Sequence, residues 1–113
     1  MAEAYTMDRL LAILQETGLP YAYDHFAEGE SPAPPFVTFL MPSSHHFSAD
    51  GGVYLKVHVV HLELYTEEKN PETEGMVEAV LDAHGIFYDK TEVWIESEKL
   101  YEVLYSFEME VSA

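Results

Sequence analysis

The run Val53 to Thr66, VYLKVHVVHLELYT, constrains this chain more than any other stretch. It is dense in β-branched, aromatic and aliphatic residues, and turn chemistry bounds it on both sides, Gly51-Gly52 before and Glu67-Glu68-Lys69-Asn70-Pro71 after. It is therefore expected to be the central strand. Its alternation carries a complication. At odd positions Leu55, Val57 and Val59 are apolar but His61 and Glu63 are polar, whereas at even positions Lys56 and His58 precede Val60, Leu62 and Leu64. The buried face changes midway, which requires a bulge or a different cover over the two halves.

The flanking segments supply one small domain around that strand. Met7, Leu10, Leu11 and Leu14 recur at helical spacing behind Thr6, and Gly18-Leu19-Pro20 stops the helix they predict. Tyr21 to Phe26 is aromatic-rich, and residues 27–35, AEGESPAPP, hold three prolines that exclude a helix or strand interior. Phe36 to Met41 is apolar throughout and reads as a strand covered on both faces; residues 42–52, PSSHHFSADGG, read as a long polar connection. Asn70 is suited to cap a second helix with Pro71 in its first position, and Met76, Val77, Val80, Leu81 and His84 form its apolar stripe up to Gly85. Ile86 to Ile95 and Tyr101 to Val111 alternate as two final strands. The order α-β-β-β-α-β-β predicts an α+β fold in which residues 1–113 form a single domain, core about 6–111, with a mixed or antiparallel sheet and both helices on one face.

Charge narrows the function classes. Twenty-one acidic residues against five basic ones leave a formal charge of -16, which opposes binding to nucleic-acid phosphates or anionic membrane, since both draw on Lys and Arg. Any assembly must then rest on apolar and main-chain contacts or on a basic partner. Cysteine is absent, which removes disulfides and thiol chemistry together and makes the cytoplasm the default compartment. Neither a signal peptide nor an apolar run long enough to span a membrane is visible. No nucleophile elbow, phosphate loop, dinucleotide fingerprint or zinc-protease motif occurs, so no cofactor and no catalytic residue is assigned and the chain is expected not to be an enzyme.

The remaining candidates each have a plain structural explanation beside the functional one. His45, His46 and Asp50 are the nearest thing to a metal set, yet neighbouring loop histidines rarely converge without a third anchored ligand, so no metal site is assigned. His58 and His61 are three apart on a strand and face opposite ways. Tyr88 and Trp94 share a face with Lys90 and Glu92, as an interface anchor would, unless a helix or loop covers them. The polar connection with His45, His46 and Phe47 is a second candidate interface. The third is the first half of the central strand, Leu55, Val57 and Val59, if it runs beyond the helices as an arm.

Four stretches resemble a known family. They are TGLPYAYDHF, EGESPAPPFVTFL, VYLKVHVVHLELYTEEKNPE and IFYDKTEVWIESEKLYEVLYSFEM, together spanning most of Leu11 to Met109. In them the chain resembles small head-to-tail joining or tail-completion proteins of tailed phages and prophages, similar to tail terminators. The resemblance implies a ring, a hexamer, that caps the tail tube and joins it to the head. Its partners would be itself, the tube protein and the neck proteins, first in the host cytoplasm and then in the virion. It brings no site residues. An acidic lumen would keep passing DNA from adhering. Two other classes stay open on the residues alone: an acidic DNA mimic that inhibits a host nuclease, and a small metal-dependent enzyme.

Overall fold

The central strand has a partner on both sides from Leu55 to Tyr65, and the rest of the fold follows from that. A computed structural model describes the backbone of residues 2–49 and 52–112 and the side chains of residues 7–46 and 56–110. Its elements are α1 (Ala2–Glu16), β1 (Tyr21–Tyr23), β2 (Phe36–Ala49), β3 (Gly52–Thr66), α2 (Pro71–Ala83), β4 (Tyr88–Ile95) and β5 (Leu100–Ser112). The five strands form one sheet in the order β1-β2-β3-β5-β4. Only the short β1–β2 pair is parallel; the other pairs are antiparallel. This is the expected α+β arrangement.

The register shows which residues form the core. Leu62 lies between Phe39 of β2 and Tyr105 of β5, and Leu64 between Val37 and Val103. These side chains, with Val60, Phe107 and Met109, form a continuous buried layer. Both helices complete it on the same face, α1 through Leu10, Ile13 and Leu14 and α2 through Val77 and Leu81. Caps hold the helices in place. Gly18 and Gly85 follow the two helices at φ 72° and 68°, a backbone that a residue lacking Cβ adopts without strain. At the other end of α2, Asn70 Oδ1 accepts a 3.1 Å hydrogen bond from the Thr73 amide, with Pro71 in the first helical position. Asn70→Ala leaves that amide without its cap; we expect a loss of about 1 kcal/mol, seen as a fall in thermal midpoint of about 4–5 °C.

Three expectations need correction. Of the expected connection 42–52, residues 42–49 and Gly52 are strand: β2 continues to Ala49 and β3 begins at Gly52, so the two pair as a long hairpin, while Asp50 and Gly51 lie outside the described residues. A bulge is not what changes the apolar face of the central strand, since β3 pairs with β5 without a break from Leu55 to Thr66. Against β2, one irregularity adds a residue to β2 between Leu40 and Ser43, and the other adds one to β3, Tyr54, opposite the step from Phe47 to Ser48. Pro42, which cannot donate to a ladder, sits at the first of them, as prolines in sheets do. On α2, Met76 is exposed and Glu74 takes a buried place.

The hairpin gives the molecule its shape. The distal halves of β2 and β3, with the end of β5, continue past the point where β1 and β4 stop, as a three-stranded arm. The molecule measures 51 × 30 × 23 Å and its radius of gyration is 15.3 Å, against roughly 13 Å for a compact domain of this length.

Candidate assembly surfaces

The sheet has one face under the helices and one without a helical cover. Strand alternation places Glu63, Asp89, Glu102, Glu108 and Glu110 on the uncovered face, together with Leu104, Val59 and His61. None of the strand residues on that face is Lys or Arg. Two hydrogen bonds order its centre: Thr38 Oγ1 donates to Glu63 (3.0 Å) and Tyr65 Oη to Glu102 (2.9 Å). Burial pushes the Glu63 carboxyl above its ordinary value, with Thr38 opposing and the nearby Glu102 charge adding to the rise. Burial and the Glu102 hydrogen bond likewise push the Tyr65 hydroxyl up. At one end Phe26 packs edge-on against Phe36, which stacks on Tyr65, so residues 27–35 lead directly into an aromatic cluster.

On the arm, the three apolar residues of β3 named above divide. Val57 is buried within one chain and Val59 is half-buried; the side chains of Leu55 and Phe47 lie outside the described residues. His45 Nε2 lies 3.2 Å from Glu108 Oε2. Because His45 is on β2 and Glu108 on β5, this contact reaches across β3 on the side where Val57 lies. His46, next to His45 on the strand, points to the other face, so the two do not converge; Asp50 is outside the described residues. Among the described residues no group of three His, Cys, Asp or Glu side chains is placed to hold a metal ion. His58 faces the helix side, buried opposite Met109, and its Nε2 has no hydrogen-bond partner among the described residues. His61 is half-buried on the opposite face.

Tyr88 and Trp94 lie at the two ends of β4, on the helix face. Tyr88 meets the Tyr105 ring edge-on at 5.3 Å and is half-buried. Trp94 packs on Tyr101 at 4.8 Å, donates to Glu96 (2.6 Å) and remains 40% exposed. Of the two aromatics, Trp94 presents more ring to solvent, at the end of the sheet away from the arm, in a cleft it shares with Pro32, Pro34 and Leu100.

Between Tyr88 and Trp94 is a network that the sequence did not disclose. Glu74, on the first turn of α2, is 3% exposed. Lys69 lies 2.9 and 2.8 Å from its two oxygens and also reaches Glu92. Lys90 Nζ is 2.9 Å from Glu74 and 2.7 Å from Glu78, and Tyr105 Oη donates to the same Glu78 oxygen at 2.7 Å. Burial alone would raise the Glu74 and Glu78 carboxyls, but hydrogen bonds from the two lysines, and from Tyr105 to Glu78, outweigh it and hold both below their ordinary values. The same bonds push Lys90 up. Two of the five basic residues are thus spent inside the molecule, fixing α2 on the sheet. His84, at the far end of α2, lies 2.7 Å from Glu16 at the end of α1.

The last surface lies at the arm's edges. β4 begins opposite Phe107, so β5 from Glu108 to Ser112 has β3 on one side and, among the described residues, no strand on the other. A cleft of about 650 Å³ opens along that edge, with Arg9, Gly85, Phe87 and Asp89 among its lining residues. Phe87 is 96% exposed. Sequence reasoning overlooked it because Phe87 falls inside what alternation marks as strand; the strand starts one residue later.

No protein-family model and no curated protein matches the chain. In fold it is similar to a chain of the virion of the native gene transfer agent (GTA) particle, with a TM-score of 0.64 at 15% identity, over 89% of this chain and 84% of that one. At this identity the likeness is one of fold. No helix among the described residues is long and apolar enough to cross a membrane.

Proposed function

We propose that the chain is a structural, non-catalytic protein of a phage-like virion, a tail-terminator-like subunit that assembles into a ring, caps the tail tube and joins it to the head. The observation that carries this reading is the fold shared with a chain of the gene transfer agent virion over most of both lengths. Two features agree with it. The arm offers open strand edges, which an assembling subunit needs and a monomer must protect. The open sheet face carries five carboxylates and no Lys or Arg on its strands, a surface to which a passing duplex would not adhere. The partners are further copies of the chain, the tube protein and the neck proteins, met in the host cytoplasm before the subunit enters the virion.

The test is the solution mass of the purified protein together with negative-stain images, alone and mixed with tail-tube protein. Closed rings or capped tubes are expected. A monomer that ignores tubes and instead binds a nuclease through its acidic face would replace this reading with the DNA-mimic one.

A further inference from the structure

We propose that the open edge of β5, residues 108–112, receives the outer edge of β2, residues 42–49, from a second copy of this chain, so that the sheet runs on from subunit to subunit. This rests on the ring reading and specifies its junction.

Backbone geometry supplies the first reason. β5 loses its outer neighbour after Phe107, and β1, the outer neighbour of β2, ends opposite Phe39. The main chain just beyond still uses that edge, since Asp24 N donates to Phe39 O and Met41 N to Tyr23 Oη. From Pro42 onward no strand among the described residues flanks β2 on the side away from β3. The two open edges therefore bound the same three-stranded arm on opposite sides. Rows of amide and carbonyl groups of this kind are templates for another strand.

Direction and charge identify the occupant. β2 and β5 are each antiparallel to β3, so they run the same way. A second copy turned about an axis along the strands keeps that direction, and its β2 meets β5 as a parallel strand. The contact is head-to-tail, the kind that closes into a ring when the rotation divides a full turn. Two copies of a chain at -16 repel one another over most of their surfaces. Here they do not: residues 42–46, PSSHH, bring two histidines and no acid to an edge that carries Glu108 and Glu110. His45, Glu108 and Glu110 all lie on the uncovered face by alternation, and His45 already meets Glu108 within one subunit. A strand seated on β5 also enters the cleft beside Phe87, covering the most exposed aromatic side chain among the described residues.

The absence of native cysteine permits a direct test. Ser43 and Glu108 both lie opposite Val59, on either side of β3, so their Cα atoms are two strand spacings apart, about 9.5 Å. That exceeds the reach of a disulfide within one subunit. The pairs Ser43→Cys/Glu108→Cys and Ser43→Cys/Glu110→Cys sample two registers. We expect at least one, on mild oxidation at assembling concentration, to give a ladder of covalent multimers ending at the ring mass. Each single variant should give none. Phe87→Ser should weaken assembly at least tenfold with the unfolding midpoint unchanged. Rings that form while neither pair gives a ladder overturn this junction and leave the ring reading standing. Dimers from Glu110→Cys alone mean that like edges meet, which also overturns it. A chain that stays monomeric, alone and on tubes, removes the ring reading and this junction together.

Discussion

Leu62→Ala is expected to lower stability by about 3 kcal/mol and the thermal midpoint by about 10–15 °C, measured by urea and thermal unfolding with an unchanged m-value. Leu62 is fully buried, on the half of the central strand that lies under the helices, with Phe39 on one neighbouring strand and Tyr105 on the other. Removing three carbons there leaves a cavity that none of these neighbours can fill without breaking its own register. Both helices lie over the same layer. Leu104→Ala is the comparison. It removes the same atoms from the uncovered face, where Leu104 is half-buried, and water fills the space; a loss under about 1.5 kcal/mol is expected. Equal losses for the two would show that the uncovered face is as closely packed as the core, contrary to the two-layer architecture.

Lys90→Met is expected to cost about 1–2 kcal/mol at pH 7, between the value of an exposed pair and the loss on breaking a fully buried one. The methylene stem is retained, so the change isolates the charge. Without Lys90, Glu78 keeps hydroxyl partners such as Tyr105 but loses its lysine, and Glu74, buried, is left with Lys69 among the described residues. The pH dependence gives the sharper test. Both carboxyls are held below their ordinary value of 4.5 in the folded chain. Their contribution is therefore fully present above that value and is lost as pH falls through the lower folded values. In Lys90→Met both carboxyls lose one of the partners that lower them. The gap between variant and parent should then be widest above pH 4.5 and should narrow as pH falls through the folded values. A gap that stays unchanged as pH is lowered, for as long as both proteins remain folded, would mean that the lysine acts through packing alone.

Local chemistry was legible in the sequence wherever it decided the structure. Asn70-Pro71 capped α2 as expected because a cap is made by neighbours in the chain. The alternation of Val103, Tyr105, Phe107 and Met109 marked the buried face of β5 because a strand in a two-layer fold repeats its environment every second residue. The order of elements followed from such signals. Long-range decisions were hidden. Residues 42–49 have the composition of a loop, and pairing with β3 overrides their weak strand preference. His58 reads as a solvent-facing position; the register with Met109 turns it to the helix side. Glu74 reads as a charge placed to favour a helix start, which it is, but its partner Lys90 comes from another strand and cannot be inferred from spacing. The arm's open edges were hidden in the same way, because where β4 begins decides which part of β5 lacks a neighbour.

The unbroken pairing of β3 with β5, beside a β2 that carries an extra residue near Met41-Pro42, also has an evolutionary consequence. A residue gained or lost in β3 would exchange every following side chain between the helix side and the uncovered side, against two neighbours at once. One gained or lost near Met41-Pro42 falls where β2 already departs from strict pairing and touches one neighbour only. Lineages of this fold should accordingly hold β3 at constant length while letting β2 lengthen or shorten. The arm's reach is then free to drift without disturbing the core that supports it.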